Sequence, residues 1–160
     1  MISFLRGTIF EVGQDTLVIE VGGIGYQVAV HPKDTALLGK GDSVFLYTSF
    51  IVREDMVQLF GFIKPDDLLL FKTLISASGI GPKTALAITG ATTYRDFAAA
   101  VMREDVSFLV RLPGVGKKTA QKMVLELKDK LAQNDSALLV PESAALTNEV
   151  SEARAALQGL

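Results

Sequence analysis

The sequence predicts an α+β chain, a small five-stranded β-barrel followed by an all-α unit, and three observations predict it. The first 63 residues hold short runs rich in Val, Ile, Phe and Tyr, broken by Gly, Asp and Pro. At Pro65 the apolar period changes from two to about 3.6. In the second half a Gly-aliphatic-Gly pattern occurs twice, at an offset of 35 residues.

Strands are expected over residues 2–12, 16–21, 25–30, 43–52 and 57–62. Gly22-Gly23-Ile24-Gly25 is a tight hairpin signal, because glycine enters the φ > 0 region that two-residue turns require. Residues 32–38, opening on Pro32, suit a short helical insertion. Five short strands with one such insertion indicate an oligonucleotide/oligosaccharide-binding (OB) barrel, with a small sandwich as the alternative. Phe45, Tyr47, Phe60 and Phe62 alternate in a way that suits a core at least as well as an exposed platform.

Pro65-Asp66-Asp67 starts a helix that sets Leu68, Phe71, Leu74 and Ile75 on one face. Further helices are expected over 83–89, 94–103, 106–112 and 117–133, the second of them entered from Thr93 with Asp96 three residues on, a capping-box-like start. Residues 134–147, small and polar with one Pro, read as a linker. Residues 148–160 are amphipathic, with Val150, Ala153, Leu157 and Leu160 on one stripe that has nothing after it to pack against. The expected organisation is a barrel over 1–63, a helical domain over 64–133, a linker over 134–147 and the start of a further helical domain over 148–160.

A chain of 160 residues that is 49% hydrophobic can bury a real core. The absence of cysteine excludes disulfides, iron–sulfur clusters and thiolate zinc sites, and a single histidine, His31, argues against a histidine metal cluster. His31, at a strand end, reads as a turn or surface residue. No cofactor is expected. The opening residues lack a continuous apolar stretch, and no run of about 18 apolar residues occurs, so neither a secretory signal nor a membrane span is expected and the cytoplasm is the expected address. Formal charge is −2, yet residues 1–63 carry −3, residues 64–130 carry +4 and residues 131–160 carry −3. The basic middle segment permits a nucleic-acid surface that the average conceals.

Leu74, Gly79, Ile80, Gly81, Lys83, Thr84 and Ala85 return as Leu109, Gly114, Val115, Gly116, Lys118, Thr119 and Ala120. Glycines between two short helices allow a turn that a Cβ would obstruct, and they let backbone approach a ligand. The aliphatic residue between them can point inward as an anchor. Free N–H groups at the start of the following helix, with the positive end of its dipole, suit a phosphate. Lys83, Lys117, Lys118 and Lys122 add full charges, and Thr84 and Thr119 add hydroxyl donors. Such groups see phosphates rather than bases, so binding should be independent of sequence. One isolated Gly-x-Gly could be a mere connector; two copies with matching Lys, Thr and Ala favour a site. A nucleotide-binding loop is rejected, because position 111 is Arg and Lys117 is followed by Lys118.

The ordered segments LRG (5–7), VGGIGYQV (21–28), FIVREDMVQLFGF (50–62), FKTLISASGIGPKTALAI (71–88) and LPGVGKKTAQKMVLELKDK (112–130) closely resemble the RuvA family, bacterial subunits that recognise Holliday junctions. The resemblance covers about residues 1–133. It implies an OB barrel, two helix-hairpin-helix motifs and a fourfold tetramer, with an octamer on DNA as a variant, holding an open four-way junction for recombination and repair. It also implies the hexameric ATPase RuvB as the partner that drives branch migration, and it allows the resolvase RuvC. Carried over by position, Gly79, Gly81, Lys83, Gly114, Gly116, Lys117, Lys118 and Lys122 would hold the arm backbones. Glu54 and Asp55 match the family's acidic pin at the junction centre, and Arg53 would position backbone beside them. Without the resemblance, Arg53-Glu54-Asp55 is a soluble turn tip. Family members end in a RuvB-binding helical domain, whereas this chain stops at Leu160, so RuvB engagement is expected to be impaired.

Two other functions compete. LPGVGKKTA is also similar to the hairpin of base-excision glycosylases, in which a lysine near Lys118 would be a Schiff-base nucleophile. Asp135, the one acidic candidate at a suitable distance, falls in the expected linker, and the helical segment leaves little room for a base pocket. The other rival is an adaptor that binds duplex or single strands through the barrel, against which stands the barrel's net charge of −3.

Overall fold

A computed structural model describes residues 1–138. Five strands, β1 (Phe4–Val12), β2 (Thr16–Val21), β3 (Ile24–Ala29), β4 (Ser43–Arg53) and β5 (Met56–Phe62), close into a barrel in the order β1-β2-β3-β5-β4. Neighbours pair antiparallel except β3 and β5, whose short parallel pairing matches Val28 to Leu59 and Ala29 to Phe60. Gly22 and Gly23, at φ +60° and +81°, make the β2–β3 turn. The sandwich alternative falls away, since closure leaves no sheet edge.

The barrel core is built from period-two positions: Leu5 and Ile9 on β1, Leu17 and Ile19 on β2, Val28 on β3, Val44 and Leu46 on β4, and Leu59 on β5. Gly61 belongs to this inner face, where a Cβ would lie 2.6 Å from Val28 Cγ1. Phe60 and Phe62 point the other way and are also buried, because Phe71 covers them with ring centroids 5.1 and 5.0 Å away. The four aromatics of the sequence reading therefore divide. Phe60 and Phe62 join the barrel to the helices, whereas Phe45 and Tyr47 lie half-buried on the outer face, Phe45 stacking on Phe4 at 5.3 Å. Alternation alone could not separate these pairs, because both point away from the barrel interior and only one is covered by a helix.

Among the described residues six helices accompany the barrel: α1 (Pro32–Thr35), α2 (Pro65–Ile75), α3 (Pro82–Thr89), α4 (Tyr94–Met102), α5 (Val106–Leu109) and α6 (Lys117–Leu138). Residues 1–128 form one compact unit, and a second begins at Asp129. Helix α5 stops earlier than its period suggests, and the chain beyond it tightens into turns in which the Arg111 and Leu112 N–H groups donate to the Phe108 and Leu109 carbonyls, both at 3.1 Å. Helix α6 runs past Gln133 to Leu138, so the linker expected from Asn134 does not start there. Asn134, Asp135 and Ser136 cost only a few tenths of a kcal/mol each in helix propensity, and neither Gly nor Pro intervenes before Pro141. The remainder of that expected linker, and the stripe of Val150, Ala153, Leu157 and Leu160, lie outside the described residues.

His31 has a structural task that the sequence reading missed. Its Nδ1 accepts a hydrogen bond from the Lys33 N–H at 3.0 Å, capping α1, and its Nε2 side packs on Gly90, where a Cβ would meet it at 2.1 Å. Lys33 Nζ then donates to Asp67 Oδ2 at 3.0 Å and to the Thr89 carbonyl at 2.9 Å, tying α1 to α2 and the end of α3. Burial, and next the Lys33 ammonium, hold the His31 pKa below its ordinary 6.5, against an opposite pull from Asp34 and Asp67. The unfolded chain therefore takes the proton first, and the stability contributed by neutral His31 is present above about pH 6.5 and lost as pH falls through the folded value. Asp34, raised by burial, works in the opposite direction as pH falls. His31→Asn keeps an acceptor for the cap and leaves Asp34 in place. Its melting temperature should therefore fall less than that of the parent between about pH 7.5 and 5.5; equal losses would remove His31 from the account.

Candidate nucleic-acid interface

The two hairpins form by the same local rules. Leu74 and Leu109 are buried at matching positions, and each carbonyl accepts at 3.1 Å from the N–H three residues on, that of Ala77 and of Leu112 respectively. Gly79 and Gly114 follow at φ +86° and +71°, a conformation that makes glycine necessary. Ile80 and Val115 are then turned inward and buried. Gly81 and Gly116 lead into α3 and α6, with first helical bonds from Ala85 and Ala120, both 2.9 Å. The repeat in the sequence is thus a repeat in backbone and burial.

The helix starts differ from the others in charge. Helices α1, α4 and α5 are capped by the side chains of His31, Thr93 and Asp105. Helix α2 lacks a side-chain cap but carries Asp66 and Asp67 in its first turn. Helix α3 begins from Gly81 with no side-chain cap and no acidic residue in its first turn, and α6 likewise has no acid there. Instead Lys83, Lys117 and Lys118 stand at these two starts, all exposed, with exposed Lys122 one turn further along α6. Cations at a helix amino end are unfavourable against its dipole by about 0.3–1 kcal/mol each. An anion placed between the first-turn N–H groups and the ammonium groups relieves both sources of positive potential.

The hairpins are also brought together. A Cβ on Gly114 would lie 2.9 Å from Thr84 Cγ2, so the first hairpin's threonine packs against the second hairpin's turn. This gives half-buried Thr84 a packing role that its pattern match to half-buried Thr119 did not reveal. Gly79 has no such neighbour: a Cβ there would meet nothing within 4 Å. Gly79→Val should therefore cost about 1–3 kcal/mol from backbone strain alone, whereas Gly114→Val adds a steric conflict. Urea unfolding should rank Gly114→Val as the less stable; equal midpoints would contradict the placement of Thr84.

Glu54 and Asp55 form the two-residue turn between β4 and β5, closed by the pair Arg53 and Met56. All three charged residues are exposed, and exposed Val52 and Val57 face each other behind them. No hydrogen bond or ion pair among the described residues ties this turn to either hairpin. Lys128 differs from the hairpin lysines in that its ammonium pairs with Glu104, a contact that also holds the Glu104 carboxyl below its usual range. Sequence reasoning missed a further contact: Glu126 of α6 accepts from the Ser78 N–H at 2.7 Å and from the Ser78 hydroxyl.

Lys118 lies on the surface at the start of α6, and the side chain of Asp135 is outside the described set. Among the described residues no group of three or more His, Cys, Asp or Glu could hold a metal, and no helix is long and apolar enough to cross a membrane.

Comparison with known proteins matches residues 1–61 to the RuvA N terminal domain and residues 71–129 to the SAM-like helix-hairpin-helix tandem. Three similar relatives each bear the name Holliday junction branch migration complex subunit RuvA. The protein of Herpetosiphon aurantiacus is 48% identical over 131 residues, covering 81% of this chain and 66% of the relative. That of Syntrophomonas wolfei is 42% identical over 154 residues, covering 96% and 77%. That of Caldanaerobacter subterraneus is 43% identical over 159 residues, covering 98% and 83%.

Proposed function

The chain belongs to the RuvA family, and from that premise we propose that it binds four-way DNA junctions by shape and backbone, independently of sequence. It does so as a tetramer that holds the junction open for RuvB-driven branch migration in recombination and repair. The observation that carries this reading is the pair of Gly-x-Gly helix starts, the first without a side-chain cap, both without first-turn acids and both flanked by lysines. Two such starts per chain fit two phosphate contacts per arm, and a closed fourfold assembly would match four arms with four equivalent surfaces.

In this reading residues 64–133 clamp the arms through the backbone of Gly79, Gly81, Gly114 and Gly116 and through Lys83, Lys117, Lys118 and Lys122, with Thr119 as a hydroxyl donor. Residues 1–63 present Glu54 and Asp55 at the crossover, with Arg53 on the adjacent backbone. The chain supplies no catalytic group of its own; ATP hydrolysis belongs to RuvB, and the family's cytoplasmic setting is proposed with it. A glycosylase reading would need a pocket and an acid beside Lys118, and borohydride on abasic DNA should give no covalent adduct.

Native mass spectrometry of the protein with an immobile four-way junction tests the geometry. Four chains per junction, or eight, agree with the proposal. A single chain per junction at micromolar protein contradicts it.

A further inference from the structure

We propose that Glu126 is a positioning residue for the first hairpin: its carboxylate holds Ser78 and thereby presets the turn at Gly79 to Gly81 for a phosphate. The inference rests on the reading of that turn as a phosphate clamp. One carboxylate takes two donors from a single residue, the Ser78 N–H at 2.7 Å and the Ser78 hydroxyl, across 48 positions of sequence. Two bonds to one residue restrict rotation about the turn more than either alone, and acceptors that carry charge make the stronger bonds. Ser78 immediately precedes Gly79, whose φ of +86° sets the direction of the turn. Ile80 is anchored by burial on the other side, so Glu126 fixes the one flank of the hairpin that is exposed.

The second hairpin supplies the control. At the 35-residue offset, Ser78 corresponds to Pro113 and Glu126 corresponds to Ala91. Proline fixes its own φ and has no N–H to satisfy, so the second hairpin is rigid at this position by covalent structure and needs no acceptor. The first hairpin has a residue with an N–H to satisfy and an unrestricted φ there, and it has the carboxylate. Serine held by Glu126 in the first hairpin, and proline in the second, are two solutions to one requirement.

Charge argues the same way. A carboxylate next to a phosphate site repels the ligand, so Glu126 has no place there as a DNA contact. Its role toward this hairpin is geometric. Glu126→Gln should keep the geometry, since the amide oxygen can accept from the Ser78 N–H while the amide nitrogen donates to the Ser78 oxygen.

The test uses the whole chain in two measurements. In amide hydrogen exchange without DNA, Glu126→Ala should speed exchange at residues 78–84 several-fold and leave residues 113–119 unchanged, and Ser78→Pro in the same background should restore protection over the rest of the hairpin. Unchanged exchange over residues 78–84 in Glu126→Ala overturns the proposal, whatever the protein binds. In junction titration, Glu126→Ala should weaken binding about fivefold to tenfold, as expected when a preset loop must be ordered on binding. Glu126→Gln and the Ser78→Pro/Glu126→Ala double variant should bind as well as the parent or better. A Gln variant as weak as the Ala variant would show that the charge itself is required and would overturn the inference. A parent chain that does not bind the junction would instead refute the phosphate-clamp reading, leaving the exchange result to decide the role of Glu126.

Discussion

Replacing Lys117 and Lys118 together by Ala should weaken binding to four-way junctions of every sequence by the same factor, about 10³ or more near physiological salt. The size follows from multiplication. Both lysines are exposed at the start of a helix whose first turn carries no acid, so their charge is directed at whatever the amino end of that helix binds. With the proposed four protomers on a junction, the substitution would remove up to eight ammonium groups from phosphates. Each duplex phosphate no longer neutralised lowers the log–log dependence of affinity on salt by about 0.9. The variant's salt slope should therefore be clearly flatter than the parent's, and affinity should recover partly as salt is lowered. Titrations at several salt concentrations, on two junctions of unrelated sequence, give both quantities. A loss confined to one sequence, with the slope intact, would mean that these lysines read bases.

Replacing Glu54 by Gln and Asp55 by Asn should do the reverse for duplex DNA: its affinity should rise about tenfold while junction affinity stays equal or increases, shrinking the ratio between them. Both side chains stand at the exposed tip of the β4–β5 turn. In the proposed tetramer, four copies of this turn around a fourfold axis would place eight carboxylates at the centre. A continuous duplex crossing that centre brings its phosphates against the ring. An open junction has a hole there and turns each strand away, so it avoids most of the repulsion. On this proposal the carboxylates would raise specificity by penalising the wrong ligand, and they would help to part base pairs arriving at the centre. Side-by-side titration of junction and duplex measures the ratio. A double variant that loses junction binding while duplex binding is unchanged would show the carboxylates to be attractive or structural.

The barrel was legible because its strands alternate strictly where one face is buried, as in Leu17 and Ile19 or Val44 and Leu46, and because Gly22-Gly23 marks a two-residue turn. The hairpins were legible because positive φ at Gly79 and Gly114 leaves a glycine in the sequence twice at one spacing. What could not be read depends on contacts between distant segments. Phe60 and Phe62 differ from Phe45 and Tyr47 only in having Phe71 over them. Thr84 against Gly114, Glu126 on Ser78, and Lys33 on Asp67 and Thr89 join residues 30 to 56 positions apart, and none leaves a periodic trace. The extension of α6 to Leu138 leaves no clear sign in the sequence, because polar residues of modest helix propensity resemble a linker even where no breaker is present. The acidic turn is the opposite case. Its position is plain from the strands on either side, but the role proposed for it rests on family resemblance, since nothing in Arg53-Glu54-Asp55 by itself distinguishes a pin from a soluble tip.

Competition against a labelled four-way junction tests the central claim, recognition of junction shape through phosphates, most directly. An unlabelled junction of unrelated arm sequence should displace the label at equal concentration, while duplex built from the same arms and single strands of the same length should each require at least about a hundredfold excess. Displacement by duplex or by single strand at the same concentration as by junction would contradict the account.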